Sequence, residues 1–168
     1  MNKLENSNLV KTRNRLINEI DSLDFDTFNS KPDRDTWSIA QVCHHLILAE
    51  KSTSDVIASG LTNADSKAEP KEITLALDRS RKVNAPDFIK PDTEPFDVQQ
   101  IIDLLNDSRS ALLSILSSVE DKTVLARKSV KHLVFGDLPL NQWVDFIYLH
   151  EARHIAQIEE IKSEIRLS

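Results

Sequence analysis

Apolar residues recur at three- and four-residue steps in four stretches of the chain, the spacing that collects them on one face of a helix. The first stretch, about residues 4–23, carries Leu4, Leu9, Val10, Leu16, Ile17, Ile20 and Leu23. The second, about 38–60, turns Val42, His45, Leu46 and Ala49 inward. Ser38 followed by Gln41 has the spacing of a capping box, in which each side chain satisfies a free backbone amide at the start of the helix. The third, about 97–119, repeats that spacing with Asp97 and Gln100 and carries Ile101, Leu104, Leu105, Leu112 and Leu116. The fourth, about 140–165, follows Pro139, a residue favoured in the first turn of a helix. Its stripe reads Trp143, Ile147, His150, His154, Ile158, Ile161 and Ile165. The pattern predicts an all-α chain built on four long helices.

The connections refine this picture. Some 36 residues, 61–96, separate the second and third helices, with Pro70, Pro86, Pro91 and Pro95 among them and room for one short helix near 71–82. A connection this long can run the length of a bundle, leaving those two helices parallel, and can cover one end as a lid. Residues 122–138, with several β-branched residues and Gly136, suit either a short hairpin or an extended loop. A chain of 168 residues fits one domain, 1–168, large enough to bury a core without disulfides or a structural metal. Two glycines are too few for a turn-rich β-sandwich or barrel.

Composition narrows the chemistry. Cys43 is the only cysteine, so an intrachain disulfide is excluded and any metal must be held by His and carboxylates. No apolar run approaches the roughly 18 residues of a spanning helix. The first twenty residues alternate charge with apolar side chains instead of forming the apolar core of a signal peptide, so a cytoplasmic location is expected. A net charge of −6 argues against a nucleic-acid partner, which would need a Lys/Arg surface.

His150 and His154 stand four apart on the fourth apolar stripe, so both imidazoles project from one face and can chelate one ion. Two imidazoles buried there without partners would be costly, and a metal satisfies both. The motif HEARH also matches the H-E-x-x-H of zinc peptidases, with Glu151 as general base. Those enzymes take a third ligand from beyond the motif helix, whereas only fourteen residues follow His154 and most continue the same helix. A third ligand is available upstream. His45 lies in line with Val42, Leu46 and Ala49, while His44 is rotated about 100° from it and cannot share its site. His132, in the irregular segment, reads as a surface residue, and Cys43 as a small buried apolar one.

Three stretches together resemble the DinB-like, or damage-inducible, four-helix-bundle superfamily of metal-dependent enzymes. They are WSIAQVCHHL at Trp37 to Leu46, APDFIKPD followed by the helix bearing Arg109, and FGDLPLNQWVDFIYLHEARHIAQI at Phe135 to Ile158. The resemblance implies an up-down-down-up four-helix bundle and a three-histidine metal site at His45, His150 and His154. Gln157 matches a glutamine that commonly follows the last ligand. Many members carry an acidic residue three after the first histidine, where this chain has Leu48, with Glu50 nearby. The cofactor expected is one divalent transition metal, nickel, zinc or iron, all of which suit imidazole. Three neutral imidazoles leave positions for water or substrate, the pattern of a catalytic site.

Relatives include hydrolases and transferases that join a low-molecular-weight thiol, such as bacillithiol or mycothiol, to electrophiles. The expected partners are a small-molecule substrate, that thiol among them, and a second copy of the chain in a homodimer, with no nucleic acid and no membrane. Two further side chains are candidates for catalysis. Glu151 serves as a base if it leans toward the site, against a solvent-facing charge paired on its own helix. Arg109 anchors an anionic substrate, against an ordinary ion pair. The alternative from another class is a bundle that binds a metal or small molecule without turnover.

Overall fold

The computed structural model describes residues 3–80 and 83–167, with side chains from residue 7 to 166. Six α-helices are present among them: α1 (Lys3–Ile20), α2 (Phe25–Asn29), α3 (Ile39–Thr62), α4 (Val98–Ser118), α5 (Val124–Arg127) and α6 (Leu140–Leu167). The four long ones, α1, α3, α4 and α6, form a bundle. Their order follows from which residues share a core. At one end, Leu16 and Ile20 of α1 pack with Ile39, Val42, Leu46 and Ile47 of α3, Ile101 and Leu105 of α4, and Ile155, Ile158 and Ile161 of α6. At the other end, Leu9, Ile57, Leu112 and Leu116 meet Leu140, Val144, Ile147 and Leu149. The chain therefore runs up through α1, down through α3, down again through α4 and up through α6, as expected.

Local sequence sets the boundaries. The first predicted helix, about 4–23, is α1 and ends at Ile20; a further short helix, α2, follows, and Asp24 caps it by accepting from the Thr27 N–H at 2.8 Å. Ser38 and Gln41 form the predicted capping box at the head of α3. The matching spacing at Asp97 and Gln100 forms none. Both of those residues are exposed, so water can serve the free amides there. Val10, expected inward, is half exposed, because the stripe that packs runs through Leu9, Leu16 and Ile20. The side chain of Leu4 lies outside the described residues.

Residues 63–97 form the long connection that parallel α3 and α4 require. It carries two 3₁₀ turns, Ile73–Leu77, within the stretch that had room for a short helix, and Asp87–Ile89. It is tied down along α3 and α6. The Gln142 side chain exchanges two 2.8 Å hydrogen bonds with the Lys71 backbone, Arg153 donates to the carbonyls of Ala76 and Asp78, and Gln41 donates to that of Asp92. The segment before α6 is a hairpin, β1 (Ser129–His132) antiparallel to β2 (Gly136–Pro139), with His132 opposite Gly136. Gly136 has φ +71°, a conformation that glycine adopts without strain and that closes the turn. Gly60 lets α3 pass the hairpin and α6: a Cβ there would lie 2.8 Å from Val130 and Leu140. No helix among the described residues is long and apolar enough to cross a membrane.

Candidate metal centre

His45 is carried by α3, and His150 and His154 by α6, on faces turned toward each other. Their ring nitrogens lie within 4.8 Å of one another. His150 Nε2 is 3.4 Å from His45 Nε2 and 3.1 Å from His154 Nε2, so the three Nε2 atoms converge. The far nitrogens of two rings fix what those atoms present. His45 Nδ1–H donates to the Ile89 carbonyl at 2.8 Å, and His154 Nδ1–H donates to the Gln157 amide oxygen at 2.7 Å. Each of these rings therefore turns an Nε2 lone pair inward, the arrangement that outer hydrogen bonds give to metal-binding histidines. His45 and His154 are buried; His150 keeps a part of its surface in solvent and stacks on Phe146, ring centres 5.3 Å apart.

Charge agrees with this. Burial lowers the pKa of His154 to about 3, with His45 adding to the effect. Burial, then the neighbouring His154 and His45, hold His150 well below the ordinary value, and burial lowers His45. Two rings fixed with their Nε2 lone pairs turned inward, and a third Nε2 3.4 Å and 3.1 Å from them, leave one point at which a cation would be held by three neutral nitrogens. The donor set fits a divalent transition metal, held by three nitrogens with room for further ligands.

His44 is directed elsewhere: its Nδ1 accepts the Asp92 N–H at 3.0 Å, and its ring packs on Phe96. Cys43 is fully buried, and burial pushes its thiol up to about 12, so it stays protonated and inert.

Arg109 forms the ion pair that was set against an anion anchor, and Glu151 lies in the same group. Glu151 is only 2% exposed, so it is not a solvent-facing charge. Its Oε1 accepts from Arg13 Nε at 2.8 Å, its Oε2 from the Thr12 hydroxyl at 2.5 Å, and both oxygens lie 3.3 Å from Arg109 Nη2. Arg109 Nε also donates to Glu50 Oε1 at 2.5 Å, and Glu50 Oε2 accepts from Arg13 Nη2 at 2.6 Å and from Ser108 at 2.7 Å. Arg13, Glu50, Arg109 and Glu151 thus form a buried, charge-neutral group with one member from each long helix. Burial alone would raise the pKa of Glu50, but Arg13 and Arg109 outweigh it and the net shift is downward. Sequence reasoning missed this group, although a signal was present: each member interrupts an apolar stripe at helical spacing, as Arg13 does between Leu9 and Leu16.

His132 also departs from expectation. It is 8% exposed, ringed by Phe135, Trp143 and Phe146, because the hairpin folds it back onto α6.

The family model described as the DinB superfamily matches residues 8–158. The protein YuaE of Bacillus subtilis is 31% identical over 149 residues, covering 88% of this chain and 91% of its own. Among solved structures, YfiT from Bacillus subtilis, described as a probable metal-dependent hydrolase with an unusual four-helix bundle topology, superposes with a TM-score of 0.68. It is 15% identical, with 100% of this chain and 91% of that chain covered. The four-helix bundle protein TT2238 gives a TM-score of 0.62 at 19% identity, covering 93% of this chain and 96% of its own. At these identities the two structures speak for the fold.

Proposed function

The chain belongs to the DinB superfamily, and from that premise we propose that it is a metal-dependent enzyme whose ion is held by His45, His150 and His154. The observation that carries this is the convergence of three Nε2 atoms without a carboxylate or thiolate in the group. A structural zinc site is closed by four protein ligands, whereas three leave room for a reacting molecule. When bound, such an ion supplies Lewis acidity, which makes a water or a thiol nucleophilic near neutral pH. YfiT, of the same fold, is described as a probable metal-dependent hydrolase, which supports the hydrolytic branch. Transfer of a low-molecular-weight thiol to an electrophile is the other branch.

The protein's own residues set the stage for either. The Ile89 carbonyl and Gln157 hold two ligand rings in one tautomer and one orientation. The neutral group Arg13–Glu50–Arg109–Glu151 ties together the helices that carry the ligands. In this reading Glu151 and Arg109 are positioning residues and not a base and a substrate anchor, since their polar atoms are already engaged with one another.

The test is a screen of the zinc-, nickel- and iron-loaded protein against activated esters and amides, and against a thiol paired with an electrophile. Turnover that chelation abolishes and added metal restores is expected in one arm, and that arm assigns the reaction. Stoichiometric metal binding with no turnover in either arm, and with a site closed to small ligands, would identify a metal-binding protein instead.

A further inference from the structure

His132 is the one buried histidine outside the metal-binding group. Its Nδ1 accepts two backbone N–H groups of the hairpin turn, from Val134 at 3.1 Å and Phe135 at 3.3 Å. An acceptor nitrogen carries no proton, so the ring's proton is on Nε2. Burial lowers the pKa to about 4, leaving the ring neutral at physiological pH with a single N–H to offer.

The setting of that N–H is unusual. The ring packs against Trp143 and Phe146, with centres 4.7 Å away in each case, and against Phe135 at 5.0 Å. Phe146 in turn stacks on the ligand His150, 16° from parallel. His132 therefore stands one aromatic ring from the metal-binding group. Its Nε2–H has no hydrogen-bond partner among the described residues. It is not sealed in either: the only fully enclosed side-chain nitrogen or oxygen there without a partner is Asn141 Oδ1. The surrounding turn residues Leu133 and Val134 are apolar and exposed by 78% and 63%. A donor that is fixed in direction and open to solvent beside an apolar wall is already aimed at an acceptor that a ligand brings.

We propose that His132 is a substrate-binding residue of the metal site, its Nε2–H donating to a carbonyl or carboxylate oxygen of a ligand whose apolar body lies against Phe146 and the hairpin tip. This rests on the metal-enzyme reading above. The hairpin then serves recognition: the turn that closes at Gly136 fixes the tautomer by placing two amides on Nδ1, and so aims the donor. The substrate class it selects is an oxygen-bearing molecule with an apolar or aromatic portion, in preference to a small, fully polar one.

Benzohydroxamate, which joins a metal-binding carbonyl head to an aromatic ring, is a suitable probe. Protein labelled with ¹⁵N at histidine and loaded with zinc is titrated with it, while zinc content is measured in the same samples. The expected result is saturable binding that moves the His132 Nε2–H resonance downfield and leaves Nδ1 unprotonated. His132→Asn keeps a side-chain acceptor for the Val134 and Phe135 amides but lacks the ring donor. It should retain zinc and bind the probe about five- to tenfold more weakly. An unmoved His132 resonance at saturation in the parent protein overturns the proposal even if the variant fails to fold, as does a zinc-loaded parent that does not bind the probe. Equal affinity in parent and variant overturns it alone, with zinc retained. A parent that holds no zinc overturns it together with the metal reading.

Discussion

A handful of side chains decide the chemistry, and their legibility in the sequence differed for physical reasons. The i, i+4 spacing of His150 and His154 survives any detail of packing, because a helix alone brings them together. His45 needed only the phase of its helix, which also set His44 aside. His132 was unreadable because its burial depends on a hairpin folding back onto α6, a contact between elements that no periodicity encodes. The same four imidazoles fix how stability responds to acid. Burial holds His154 and His132 neutral down to about 3 and about 4, and lowers His45 and His150 as well. In the unfolded chain each takes up a proton near pH 6.5, so below that pH the unfolded state binds more protons than the folded one. Stability must then fall with falling pH, by about 1.4 kcal/mol per unit for each imidazole that stays neutral in the fold. Glu50, whose pKa is lowered, acts in the same direction, but only below its unfolded value of 4.5. Urea melts of the metal-free protein should show the midpoint dropping steadily from pH 7 to pH 5. A midpoint that is flat over that range would mean these rings are not held neutral.

The four long helices were legible because each carries a continuous apolar stripe, and the parallel pair α3 and α4 because only a long connection can return the chain to the starting end. The break between α1 and α2, the 3₁₀ turns and the hairpin depend on single caps and on packing, and their signals are weak. The buried charge group is the least expected contact between elements, with two guanidinium groups and two carboxylates spread one per helix. Removing one member leaves an unbalanced buried charge, which costs about 3–5 kcal/mol, whereas replacing the whole group with apolar residues of similar volume is often near neutral. Glu151→Gln should therefore lower the unfolding free energy by about 3 kcal/mol while zinc content stays at the parent level. Exchange of all four residues for methionine should recover most of that stability. Unchanged stability in Glu151→Gln would show that the group is not the inter-helix tie described here, and lost zinc would return Glu151 to the metal site.

At the scale of the molecule, two cores meet at the level of the charge group and the histidines, and the long connection is pinned across α3 and α6 beside them. The core is extensive enough that an ion is not needed to hold the fold. Buried Leu, Ile and Phe side chains contribute about 1.5–3 kcal/mol each, far more in sum than a small zinc-dependent domain commands. The metal should add stability only by mass action on a folded chain. If this folded scaffold presents one three-histidine site, metal stoichiometry will show it. Untagged protein, stripped by chelation and checked for retained helical circular dichroism, is equilibrated with zinc at neutral pH and assayed by elemental analysis beside His45→Ala, His150→Ala, His154→Ala and His44→Ala. One zinc per chain is expected in the parent and in His44→Ala, and almost none in the other three. No zinc in the parent, or full occupancy in His150→Ala, would contradict it.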